Sequence, residues 1–381
     1  MRFGAAPLCL IIGLVCLSVA QPFAVAQAAP APLPPAAQEA LSKGIMAAKV
    51  PDYPLAIRYF EAARKAAPEA PVVFLNLGIA ESKIPGRELR AIAWFGAYLA
   101  AYPDAPNAAA VREQIAVLDV RNQSNVSRLI KTAQEAADLI REASSLPFLN
   151  LAEVQIKAGD KSGARRNLAS AQAHEDPMQG DPRVRSGQFV WIATDQIKVG
   201  DDVGAWSTLM SARKAADRIT EDPRYKADEQ YDIASAQIRA GDIAGAQGTL
   251  AILQATTALI DPKDIGTYQF KNSQIQKWID TARAKAESAK TGNSAPAASP
   301  DPEAAQPPNT VSDWLKLLDD GDASSACPLN TAIFLEFADH LKSLPPSDDP
   351  ETAFDGLYPA AKTIVTAQNV IHQMLKQQPG K

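Results

Sequence analysis

From about residue 37 to residue 288 the apolar positions recur every three and four residues, broken only by short polar, proline or glycine stretches. That spacing places apolar side chains along one stripe of a helix, so the region predicts helices joined by tight turns. Nothing in it reads as a strand. Residues 311–378 show the same habit in shorter pieces. Trp314, Leu317 and Leu318 form one apolar face, Phe334, Phe337, Ala338 and Leu341 a second, and Ile364, Ala367, Ile371, Met374 and Leu375 a third. Such faces suit a small module closing on itself, a dock for another protein, or a lid on the preceding helical region. Between the two regions, TGNSAPAASPDPEAAQPPNT (291–310) is nearly free of large apolar residues and predicts a flexible linker.

The helical pattern comes in copies. GIMAAKVPDYPLAIRYFEAARKAAP (44–68) and NLGIAESKIPGRELRAIAWFGAYLAAYP (76–103) align through Gly44 and Gly78, Ala56 and Ala91, Phe60 and Phe95, and Pro68 and Pro103. The last three pairs are each 35 residues apart, and the glycines are 34 apart because the turn IPGREL holds one extra residue. This spacing resembles the tetratricopeptide repeat, whose members are helical hairpins with small residues at the crossing, an aromatic on the second helix and a closing proline. Ala47 and Glu81 depart from it, standing where the family carries an aromatic on the first helix. The resemblance implies a right-handed superhelical solenoid of antiparallel hairpins.

A longer repeat follows. QIKAGDKSGA (155–164), QIKVGDDVGA (196–205) and QIRAGDIAGA (237–246) stand 41 residues apart. The same period holds for Ala152, Ala193 and Ala234, for Leu151, Ile192 and Ile233, and for Leu168, Leu209 and Leu250. A glycine past the last helical turn adopts the left-handed conformation at little cost, and the aspartate after it can accept a bond from a free N–H of the next helix. Gly159-Asp160, Gly200-Asp201 and Gly241-Asp242 therefore read as the stop and start of each hairpin. The small pairs Gly163-Ala164, Gly204-Ala205 and Gly245-Ala246 would let the two helices approach closely. Asp181-Pro182 and Asp222-Pro223 read as the start of the following first helix, where proline is tolerated. A phosphate loop would follow a strand, and a calcium loop needs more oxygen ligands than one aspartate per unit.

One recurring position is not explained by packing. Lys157, Lys198 and Arg239 put a cation at the end of each first helix. They predict either a groove that reads an acidic or carboxylate-ended segment of a partner, or cations placed against helix C-terminal dipoles. Gln155, Gln196 and Gln237 would bond the neighbouring hairpin or point into the groove. His174, His340 and His372 are scattered, none with a second ligand at metal spacing, so neither catalytic nor metal residues are assigned and no cofactor is expected. Asn122 and Asn125 head two Asn-x-Ser triplets.

Composition narrows the class. Apolar residues make up 46% and aromatics only 6%, with alanine prominent, which suits helices packed through small side chains and not a β-sandwich. A net charge of −5 argues against nucleic acid as partner. Arg2, the apolar run LCLIIGLVCLSVA and the small residues of FAVAQA read as an export signal cleaved after Ala26 or Ala28. Cleavage removes Cys9 and Cys16, leaving Cys327 without a disulfide partner. The leader and the alanine-rich repeat together resemble exported bacterial proteins.

The sequence thus predicts an all-α chain: export signal 1–28, proline-alanine spacer 29–36, two hairpins and a following helix over 37–121, three longer hairpins and a closing helix over 122–288, a linker over 289–310 and a small helical module over 311–381. The expected role is a non-enzymatic scaffold or adaptor, periplasmic or secreted, that binds a protein or peptide through its concave face and has no membrane span after cleavage. The alternatives are an enzyme or enzyme accessory subunit acting through 311–381, and a self-assembling envelope protein.

Overall fold

The computed structural model describes residues 32–140, 145–175, 180–290, 310–323 and 350–378, with Leu329, Leu335, Glu336 and Ala338 as separate positions. The predicted export signal, residues 29–31 of the proline-alanine spacer, residues 291–309 of the predicted linker, Cys327, His340, and Phe334, Phe337 and Leu341 lie outside the described residues.

The chain is all-α, with fourteen helices among the described residues. They are α1 (Pro35–Lys49), α2 (Tyr53–Ala66), α3 (Pro71–Glu81), α4 (Glu88–Ala101), α5 (Ala108–Ala137), α6 (Leu146–Lys157), α7 (Lys161–Glu175), α8 (Pro182–Lys198), α9 (Asp202–Asp217), α10 (Pro223–Arg239), α11 (Ile243–Thr257), α12 (Ile265–Lys290), α13 (Val311–Ala323) and α14 (Pro350–Lys376). Helices α1/α2, α3/α4, α6/α7, α8/α9 and α10/α11 pack as pairs across short turns, and each pair also touches the helix that follows it. The first helices α6, α8 and α10 contact one another in order, and α12 rests on α10 and α11.

Small residues occupy the crossings. Ala56, Ala91, Ala152, Ala193, Ala234, Ala164, Ala205 and Ala246 are fully buried, beside Leu168 and Leu209. In the first two hairpins the crossing is tighter still. A Cβ at Gly78 would stand 2.6 Å from the ring of Phe95, and Gly44 faces Phe60 in the same way. Only hydrogen at these two positions lets the aromatic of the second helix lie against the backbone of the first.

Glu81, at the position where an aromatic was expected, is fully buried and serves a different purpose. Its oxygens accept from Arg87 Nη1 at 2.9 Å and Arg90 Nε at 2.8 Å, so charge pairing replaces an apolar contact. Arg64 extends this group to Glu61 at 2.8 Å and to Asp319 of α13 at 3.2 Å.

The helices after residue 310 pack on the repeats. Helix α13 lies on α4, and α14 lies on α4, α5 and α6. Trp314, Leu318, Phe354, Leu357, Ile364 and Ile371 belong to the same buried cluster as Leu118, Leu129 and Leu151. The apolar stripe of a 27-residue helix is long, and the 30-residue α5 offers it a matching one. Thr310 and Asp313 form a reciprocal cap at the start of α13: Thr310 N donates to Asp313 Oδ2 at 2.8 Å, and Asp313 N donates to Thr310 Oγ1 at 3.3 Å.

Candidate functional site

The three repeated turns are built alike. Gly159, Gly200 and Gly241 have φ of +80°, +74° and +77°. In each turn the aspartate N–H donates back to the glutamine carbonyl, from Asp160 to Gln155 at 2.8 Å, Asp201 to Gln196 at 2.8 Å and Asp242 to Gln237 at 2.9 Å. That bond closes the first helix. The same aspartate then opens the second, its Oδ1 accepting from Gly163 N at 2.8 Å, Gly204 N at 3.1 Å and Gly245 N at 2.8 Å. The second glycine is small for a reason other than helix approach. A Cβ there would collide with the aspartate carboxylate and the glutamine amide, which fill the space beside it.

The glutamines are buried and point inward. Gln155 Oε1 accepts from Asn167 Nδ2 at 2.8 Å, and Gln237 Oε1 accepts from Thr249 Oγ1 at 2.7 Å. In the middle unit Thr208 Oγ1 donates instead to Gln172 Oε1 at 2.8 Å, a residue of the preceding hairpin. Neighbouring turns are also tied together. Arg165 Nη2 donates to Val199 O at 2.7 Å, and Trp206 Nε1 donates to Ala240 O at 3.4 Å.

The cations at the ends of the first helices have local partners. Lys157 Nζ lies 2.9 Å from Glu153, Lys198 Nζ lies 2.8 Å from Asp195, and Arg239 Nη2 donates to Thr194 Oγ1 of α8 at 3.4 Å. Arg239 thus reaches across to the helix that carries Lys198, while Lys157 stands by α14. The side chains of Lys157 and Lys198 remain 38% and 57% exposed, so both stay reachable from solvent.

Helix α14 is held to the repeats by polar contacts around two carboxylates. Glu153 of α6 accepts from Lys362 Nζ at 2.9 Å and from Tyr358 Oη at 3.3 Å, besides its bond to Lys157. Burial pushes the Glu153 carboxyl up, but the hydrogen bonds and charges of Lys362 and Lys157 outweigh it and hold the group below its ordinary range. The hydrogen bond to Glu153 raises Lys362 in turn. Asp119 of α5 accepts from Gln368 Nε2 at 3.0 Å and lies 2.8 Å from His372 Nε2, which makes His372 an interface residue. Asn369 Nδ2 donates to Lys157 O at 3.1 Å, and Gln378 Nε2 donates to Gly96 O at 2.8 Å.

Where α14 crosses α5 and the α6–α7 turn, a polar cleft of about 700 Å³ opens. Lys131, Lys157, Arg166 and His372 reach it from four different helices. Sequence spacing pointed to Lys157 but not to Arg166 or Lys131, which have no counterpart in the other units. The inward polar partners Asn167, Thr208 and Thr249 do carry a sequence signal, since they keep the 41-residue period with changing residue types. Asn122, head of one Asn-x-Ser triplet, is fully buried in α5.

Among the described residues no group of three or more His, Cys, Asp or Glu side chains is placed to hold a metal ion, and no helix is long and apolar enough to cross a membrane. No family model matches the chain, and no curated protein matches it.

Proposed function

We propose that the protein is an exported adaptor, a right-handed solenoid of antiparallel helix hairpins that binds a protein or peptide along the face shared by its first helices. One observation carries the reading: α6, α8 and α10 pack in order, and each ends in a cation, Lys157, Lys198 and Arg239. A row of cations on adjacent helices favours an acidic or carboxylate-ended segment. The local partners do not cancel this preference: the i,i+4 pair of Lys157 with Glu153 contributes only about 0.2–0.5 kcal/mol, and Lys198, although paired with the buried Asp195, keeps a side chain that is 57% exposed and an ammonium with further donors. Export rests on the leader at residues 1–28.

The test uses fluorescence anisotropy with matched acidic and basic peptide libraries. The chain should select acidic peptides, and the triple variant Lys157→Glu, Lys198→Glu, Arg239→Glu should lose that preference or reverse it. Unchanged selection by the triple variant overturns the groove. Terminal sequencing of protein recovered from an export host should begin at Gln27 or Ala29; retention of Met1 overturns the leader.

A further inference from the structure

The cleft between α5, the α6–α7 turn and α14 is distinct from the row of cations, since Lys157 alone of the three reaches it. Its volume of about 700 Å³ falls in the range of small-molecule sites. The two acidic residues that line it are already engaged. Asp160 Oδ1 caps α7 through Gly163 N at 2.8 Å, and Asp138 Oδ1 accepts from Gln134 Nε2 at 2.9 Å.

The donors are in surplus. Arg166 uses Nη1 on Ser162 Oγ at 3.0 Å, which leaves the rest of its planar fork of N–H groups. Lys157 gives one bond to Glu153, and Lys131 stands 3.8 Å from Glu135 at the long end of pairing. Asn369 commits one amide hydrogen to Lys157 O and retains the other. A cleft that gathers Lys131, Lys157 and Arg166 around two carboxylates, each already holding a hydrogen bond, is complementary to an acceptor-rich ligand.

We infer that this cleft binds a small carboxylate whose remaining atoms are rich in hydrogen-bonding groups, with the Arg166 fork on the carboxylate and Lys157, Lys131 and Asn369 around it. Two sources present this chemistry, the acidic end of a peptide and an acidic sugar. Because Asn369 and His372 come from α14, the site is complete only while α14 is docked.

The experiment is titration of the full chain by calorimetry with the dipeptide Glu-Glu and, separately, with a uronic-acid disaccharide. At least one should bind, and which one does identifies the source. Arg166→Gln should weaken binding about tenfold or more, as loss of a charge-assisted bidentate contact does. Arg166 is exposed, so this variant keeps the fold. Asn369→Ala should weaken binding by a smaller factor. Lys198→Glu with Arg239→Glu should leave it unchanged, while the same pair impairs the acidic-peptide selection of the proposed partner face, so the two readings fail separately. No heat with either ligand at about 10 mM, or binding indifferent to Arg166→Gln, overturns the site.

Discussion

Gly96 of α4 packs directly against the indole of Trp314 of α13: a Cβ at position 96 would stand 2.6 Å from Cζ2 and Cη2 of the ring. Trp314 is fully buried by this contact and its neighbours. Gly96→Ala should therefore unseat α13 at a cost of about 1–3 kcal/mol, the range for overpacking. Trp314→Ala should cost about 3–5 kcal/mol. In the Trp314→Ala background the added methyl should be close to neutral. Denaturant melts of the four proteins check this, with proteolysis near 311–323 reporting the seating of α13.

The repeated turn predicts a second coupling. Asp160→Ala should cost about 1 kcal/mol through loss of the α7 cap. Gly163→Ala should cost more in the native protein than in the Asp160→Ala variant, because the carboxylate that blocks the methyl is then gone. A double-mutant cycle at 160 and 163 measures the difference. An additive result would mean that the second glycine has another purpose.

Glu81 is buried against Arg87 and Arg90, and its removal takes from both guanidinium groups the carboxylate they bond at 2.9 and 2.8 Å, while Arg90 keeps its 3.8 Å contact with Glu61. Glu81→Ala should destabilise by about 3–5 kcal/mol. Thermal unfolding of Glu81→Ala beside Arg90→Met and the double variant separates the loss of the pair from the loss of packing. The double variant should be more stable than Glu81→Ala alone.

The docking of α14 should depend on pH at both extremes. The folded value of Glu153 lies below the ordinary 4.5, so its stabilisation is complete above that value and fades as pH falls through the lowered one. Lys362 lies above the ordinary 10.5, so its contribution is complete below that value and fades as pH rises through the raised one. Hydrogen-exchange protection along α14, taken relative to the intrinsic rate at each pH, should be greatest between these limits. Glu153→Gln should flatten the acid limb.

Two carboxyls of α10 run the other way. Burial raises Glu229, with the charges of Asp232 and Asp228 adding to the rise, and burial also raises Asp232, against the opposing charge of Lys271. A carboxyl raised by folding binds its proton more tightly in the folded chain. Its unfavourable ionised form is relieved as pH falls through the raised value toward the ordinary one. Glu229→Gln should raise the melting temperature at neutral pH and reduce the gain on mild acidification. Calorimetric scans across that window decide it.

The parts of the fold legible in the sequence are those that backbone geometry dictates. A left-handed residue at 159, 200 and 241 calls for glycine, and the crossings at 152, 193 and 234 call for alanine, so both repeat visibly. The polar partners of the buried glutamines were harder to see. Asparagine at 167 and threonine at 249, which bond Gln155 and Gln237, share a repeat position but not a residue type. The seating of α14 was not legible, because nothing in one sequence pairs Glu153 with Lys362 or Asp119 with His372 across some two hundred residues. The same holds for the cleft, whose donors come from four helices and meet only once α14 is in place.

Asp160 finishes one helix and begins the next, and the turn between them holds no spare residue. Removing 161–201 would join Asp160 to Asp202, set Gly204 under the same carboxylate and bring Thr208 opposite Gln155. The array is in this sense a string of interchangeable cassettes. It should tolerate the loss or gain of a whole unit, whereas an insertion between Asp160 and Gly163 would separate the carboxylate from the N–H it caps.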